Sequence, residues 1–281
     1  MTSRPVIATI PATRAVEGAG FEVRRPFPTA RVSQIDPFLL LDEMGPTDLA
    51  PGAAKGAPDH PHRGFETVTY MISGAVEHED STGRAGRIGP GAVQWMTAGA
   101  GVIHSEMPAA EMRSDGGRQH GFQLWVNLPA AEKMAAPRYQ EFLASEIPEV
   151  TDGGATVRVI AGRFGGAVGP VETRSPVTYL HVRLAPGATV TVPAVEETAL
   201  VYTFTGDGEA TMRVYGDGGD AITLTNDGTE ESQHLVLTGQ PLREPVARYG
   251  PFVMNTAEEI EQAIEDYRSG RFGLIVRDSG A

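Results

Sequence analysis

Cysteine is absent from this chain of 281 residues. That absence removes disulfides, thiolate nucleophiles, thiolate-ligated zinc and iron–sulfur clusters together. Positive charge is scarce as well: 23 Lys and Arg stand against 36 Asp and Glu, a formal net charge of -13. Phosphate-driven nucleic-acid binding needs clustered cations, and the tightest basic groups, Arg24/Arg25 and Arg84/Arg87, read as solvated strand and turn charges. The same balance argues against an anionic membrane surface. No apolar run approaches the roughly 20 residues of a membrane-spanning helix. The opening stretch, MTSRPVIATIPATRAVEG, has no apolar core of signal-peptide length. These absences lead to the expectation of a cytoplasmic protein with no direct nucleic-acid or membrane partner.

Glycine and proline are plentiful, at 34 and 21 residues, and they separate short β-branched and aromatic runs. That punctuation is the signature of an all-β sandwich or barrel. FETVTYMISG, the segment from Ala92 to Thr97, and QHGFQLWVNLP read as strands. A second series follows from Thr156: ATVRVIAG, PVTYLHVRLAPG, ATVTVPA, TALVYTFTGDGEA and SQHLVLTGQPL. The corner APGATVTVP echoes IGPGAVQWM in the first half, which suggests two β-barrels of similar plan. The expected division is 1–133 and 134–281. Residues 129–150, broken by prolines and lacking strand alternation, read as the linker. One helix is marked near the C-terminal end. Thr256 and Glu259 form a capping box, Ile260, Ala263, Ile264 and Tyr267 make an apolar stripe, and Gly270 sits where a terminating glycine belongs.

The chemistry-bearing residues lie in the first half. HPHRGFETVTYMISG places His60 and His62 two residues apart, and alternate residues of a strand share a face. Pro61 favours an extended His60. Continued parity would put Gly64 and Glu66 on that face too, the glycine leaving room and the carboxylate approaching the same centre. An H-x-H pair alone is common on solvated strands. AGAGVIHSEMP adds His104 and Glu106 at the same spacing after a Gly-rich bend. Three imidazoles and one carboxylate suit a divalent first-row metal with positions left open. Gln123 and Trp125 share a strand face that could border such a site, although Trp125 also reads as ordinary core. In the second half His181 and His234 stand singly, with no H-x-H or His-x-Glu pair.

H-x-H-x3-E followed by a Gly-rich corner and a further histidine resembles the two-part motif of the cupin superfamily. More closely, DPFLLLDEMGP, HPHRGFETVTYMISGAVEHEDSTG, MTAGAGVIHSEMP, FQLWVNLP and YGPFVMNTAEEIEQAIEDYRSGRFG resemble the pirin family from about residue 20 to 275. The resemblance implies a bicupin: two antiparallel cupin β-barrels (double-stranded β-helices) packed together, with a short C-terminal helix. The first barrel would hold one metal, the second none. The family's ligands fall on His60, His62, His104 and Glu106, which leaves Glu66, Gln123 and Trp125 as candidate pocket or supporting residues. Fe(II) is the implied metal, and Ni, Mn, Co, Cu or Zn suit the same ligands. The implied activity is quercetin 2,3-dioxygenation, in which a flavonol-like aromatic reacts with O2 and releases CO, with Glu106 as the catalytic base. Two other readings stand beside it. One is a redox- or metal-sensing regulator that binds a transcription factor or metabolic enzyme. The other is a cupin whose flavonol turnover is incidental. A monomer is expected.

Overall fold

The computed structural model describes residues 1–206 and 209–277. Most of the chain is in strands, two units result, and one 12-residue helix, Ala257–Arg268, lies near the C-terminal end. The expected strand in TALVYTFTGDGEA is Thr198–Thr203, and its residues 207 and 208 lie outside the described ones. Among the described residues no helix is long and apolar enough to cross a membrane.

The unit containing the His-x-His stretch comprises residues 14–23, 40–144 and the chain from Arg243 onward. Its four-stranded sheet runs in the order Ala57–His62, Val102–Pro108, Val76–Asp80, Ala85–Ile88. A larger sheet supplies, in order, Arg138–Phe142, Val93–Thr97, Phe65–Ser73 and Gly117–Asn127. Thr69 of the larger sheet reaches Glu106 of the smaller one across the interior (Oγ1 to Oε1, 2.8 Å). The other unit comprises residues 1–13, 24–39 and 145–242. Its interior is aliphatic: Val157, Val159, Leu180, Val182, Val201, Ile222 and Val236 form one buried cluster. Each fully buried side chain of this kind contributes about 1.5–3 kcal/mol.

The echoing corners are the same turn. Pro90-Gly91 and Pro186-Gly187 carry positive φ at the glycine (+74° and +76°). Each closes with an i to i+3 hydrogen bond of 3.0 Å, Ala92 N to Gly89 O and Ala188 N to Ala185 O. Proline fixing the first central φ and glycine supplying the second is the chemistry of a type II turn.

Division by chain position misses two exchanges. Val6–Pro11 pairs antiparallel with Thr211–Tyr215, completing a strand edge that would otherwise be unpaired. The helix, at the far end of the chain, belongs to the metal-motif unit. Its Ile260 and Ala263 are buried with Ile103, Phe252, Met254 and Phe272. The capping box is formed: Thr256 Oγ1 accepts from Glu259 N (3.2 Å), and Glu259 Oε2 accepts from Thr256 N (3.0 Å). The expected linker also holds more structure than its prolines suggested. Arg138–Phe142 is a strand in register with Val93–Thr97, where Tyr139 and Gln140 face opposite sides of a sheet edge.

Candidate metal centre

Pro61 lies within the strand Ala57–His62, which pairs with Val102–Pro108 so that His60 stands directly opposite His104 and His62 opposite Val102. The three imidazoles converge. Ring centroids are 4.7 Å apart for His60–His62, 4.4 Å for His60–His104 and 5.0 Å for His62–His104. One nitrogen from each ring lies within 4.8 Å of the others. His62 and His104 are buried and His60 is partly exposed. Burial first, and the neighbouring imidazoles second, hold His62 and His104 well below the ordinary histidine range. They are therefore neutral bases with lone pairs available.

The donor set fits a cation. His60 Nδ1 lies 2.7 Å from the Pro58 carbonyl. Donating its proton there leaves Nε2 as the ligand atom, the usual way a second hydrogen bond orients a metal-binding histidine. His62 hydrogen-bonds the Pro251 carbonyl. Its Nδ1 and both ring nitrogens of His104 are buried with no hydrogen-bond partner among the described residues. Unpartnered buried polar atoms cost about 1–3 kcal/mol each, and a metal coordinated at this point would offset that cost.

Glu106 sits at the edge of the triad. Its Oε2 is 4.0 Å from His104 Nε2. Thr69 Oγ1 lies 2.8 Å from Glu106 Oε1 and 2.7 Å from Gln123 Oε1, and Gln123 Nε2 is 3.5 Å from Glu106 Oε2. Gln123 and Trp125 stand opposite Thr69 and Thr67 in the ladder and so share their face. The Trp125 ring is 5.3 Å from His62 and 4.3 Å from Phe65.

The parity argument for Gly64 and Glu66 fails here. The chain turns between His62 and Phe65 and enters the other sheet, so odd-numbered residues face the histidines beyond the turn. Glu66 is buried on the opposite face, where its Oε1 accepts from Thr97 Oγ1 at 2.7 Å. Gly64, at φ +88°, makes room for backbone rather than for an ion: a Cβ there would lie 1.9 Å from the Val253 carbonyl oxygen. Lys133 Nζ donates to the carbonyls of Gly64 (2.8 Å) and Val253 (3.0 Å) and to Asn127 Oδ1 (2.8 Å), which ties the turn down.

His78, given no role by the sequence, stands opposite Glu106 on the strand Val76–Asp80 and shares its interior face. It is buried, stacks on Tyr139 (5.3 Å) and places Nε2 2.5 Å from Glu141 Oε1. That contact is the main cause holding the Glu141 carboxyl below its usual range. The alternation of VEHED, which places His78 and Asp80 on one face, was the available signal. His120 is buried, with Nε2 2.8 Å from Glu43 Oε1. In the other unit His181 bonds Gln233 (3.1 Å), and His234 bonds Thr203 and Ser232 (2.9 and 3.0 Å). Among the described residues the only triad of this kind is His60, His62 and His104.

Comparison with known proteins fits this arrangement. A family profile described as Pirin matches residues 20–126, and one described as Pirin C-terminal cupin domain matches residues 179–273. Mouse pirin is 43% identical over 287 residues, covering 97% of this chain and 95% of its own length. The chain belongs to the pirin family. A pirin-like protein of Caulobacter vibrioides is 43% identical over 285 residues, covering 97% of this chain and 100% of that protein. The crystal structure of a quercetin 2,3-dioxygenase from Acinetobacter baumannii is 40% identical, with a TM-score of 0.90, covering 98% of this chain and 100% of that one. The fold is therefore the two-domain cupin fold of the pirins, and the histidine triad lies within the segment matched as Pirin.

Proposed function

We propose that this pirin is a metal-dependent dioxygenase of quercetin-type flavonols, converting flavonol and O2 to a depside and CO. The observation that carries the reading is the convergence of three imidazoles, two of them with buried unpartnered nitrogens, beside a carboxylate and a partly exposed amide and indole. His60, His62, His104 and Glu106 are the assigned ligands, and Fe(II) is the assigned metal. The metal, when bound, supplies Lewis acidity to a coordinated hydroxyl and redox chemistry toward O2.

The chain's own residues do the rest. Glu106 takes the proton of the flavonol 3-hydroxyl as general base, the usual worth of which is 10²–10⁴-fold in rate, roughly. Thr69 and Gln123 hold that carboxylate in place. The Trp125 indole flanks the substrate ring, and the buried Phe65 and Thr67 beneath keep water out. The second barrel, filled with aliphatic side chains, carries no metal in this reading and is a structural body.

The test is quercetin consumption and CO release by Fe(II)-loaded protein, wild type against His62→Ala and Glu106→Gln. The account expects oxygen-dependent turnover, lost in His62→Ala and lowered about 10²-fold or more in Glu106→Gln. Protein that binds iron and leaves quercetin untouched would turn the reading toward the metal-sensing regulator.

A further inference from the structure

Lys133 is a cation sealed inside the metal-site unit. It follows the one-turn 3₁₀ helix Ala130–Glu132, and only 1% of its surface reaches solvent. Burial pushes its amine down to about 8, against the pull of Glu244 and Glu259. At neutral pH it is therefore still an ammonium, with three protons to donate. All three go to neutral oxygens: the Gly64 carbonyl (2.8 Å), the Val253 carbonyl (3.0 Å) and Asn127 Oδ1 (2.8 Å). Taking an ammonium out of water is costly. What it does that no apolar side chain can do is hold three oxygens at one point.

Those oxygens belong to segments remote in sequence, and each segment borders the site. Gly64 is the turn by which the chain leaves His62 for the other sheet. Asn127 ends the strand that carries Gln123 and Trp125. Val253 lies in Phe252–Met254, directly after Pro251, whose carbonyl hydrogen-bonds His62. The same two segments are joined through Arg63, whose N donates to Pro251 O (3.4 Å) and whose O accepts from Val253 N (3.0 Å). His60 and His62 are thus oriented differently. The Pro58 carbonyl that orients His60 comes from its own strand, whereas the carbonyl that orients His62 comes from the far end of the chain. We propose that Lys133 is a positioning residue of the metal centre, its ammonium clamping the turn after His62 to the Pro251–Val253 segment and so holding the His62 ring in its ligating pose. The inference rests on the metal-centre part of the dioxygenase reading and adds a residue to it. Groups that orient a ligating histidine from outside are worth about 10–100-fold in metal affinity, and Lys133 acts one step further out, through the backbone that carries such a group.

The test titrates metal-free full-length protein with Co(II) against a competing chelator at pH 7 and records the visible spectrum of the Co(II) form, which reports ligand geometry. Lys133→Met keeps the unbranched chain and removes the donors. It is expected to weaken Co(II) binding about 10-fold and to shift the visible bands. Asn127→Leu, which removes one acceptor and leaves the two carbonyls, should do the same to a smaller degree, and it carries the test if Lys133→Met does not fold. Asn127→Asp keeps the acceptor and should keep the wild-type spectrum. Met112→Ala, a cavity in the separate cluster of Ala75, Ala109 and Leu49, controls for loss of stability alone and should leave the bands in place. Wild-type affinity and bands in folded Lys133→Met, or in Asn127→Leu where that variant carries the test, would overturn the inference and leave the metal centre intact. Equal band shifts in Met112→Ala would overturn it too, by showing general loosening. Failure of wild type to bind Co(II) would overturn the inference and the metal centre together.

Discussion

His234 shows at the residue scale what a histidine does when it is not gathered into a site. It sits on the inner face of the second barrel, bonded to Thr203 and Ser232. Burial pushes it down to about 4, from an ordinary value of 6.5. The folded value lies below the unfolded one, so the unfolded chain takes up the proton first. His234 therefore costs no stability above pH 6.5 and lowers it as pH falls from 6.5 toward 4. At pH 5 the loss is on the order of 2 kcal/mol. Urea titrations of wild type and His234→Gln at pH 7 and pH 5 check this. The glutamine variant should lose less stability between the two, and equal losses would show that His234 does not carry the effect.

At the scale of elements, the C-terminal helix is tied to the metal strand's exit. Arg63 Nη1 lies 2.8 Å from Asp266 Oδ2, Arg63 Nε donates to the Ala100 carbonyl (2.6 Å), and the guanidinium stacks on Phe272 (4.6 Å). Arg63 and Asp266 are both largely shielded from water. Breaking such a pair from one side leaves a buried charge and costs about 3–5 kcal/mol. Losing a solvated N-cap costs about 1 kcal/mol. Asp266→Ala should thus destabilise several-fold more than Thr256→Ala in chemical denaturation. Similar costs would mean that the helix is held by its apolar stripe alone.

For the whole molecule, the reach of sequence reading can be traced to particular residues. The two barrels, the capped helix and the meeting of His60, His62 and His104 were legible because each rests on local pattern: strand alternation, turn chemistry and i, i+2 spacing. Glu66 was misplaced because parity holds only within a strand, and the turn at Gly64 hands the chain to another sheet. The terminal exchanges were invisible because edge pairing and helix docking are decided by which surfaces remain uncovered, not by chain position. His78 escaped notice because its cross-strand partner, Glu106, lies 28 residues away by number and adjacent only in the ladder.

The central claim is one metal per chain, held in the first barrel. Elemental analysis of protein purified without added metal, wild type beside His104→Ala and Glu106→Ala, tests it most directly. The account predicts close to one first-row metal ion per wild-type chain, with loss in His104→Ala and weakened retention in Glu106→Ala. Two ions per chain, or full retention in His104→Ala, would contradict it.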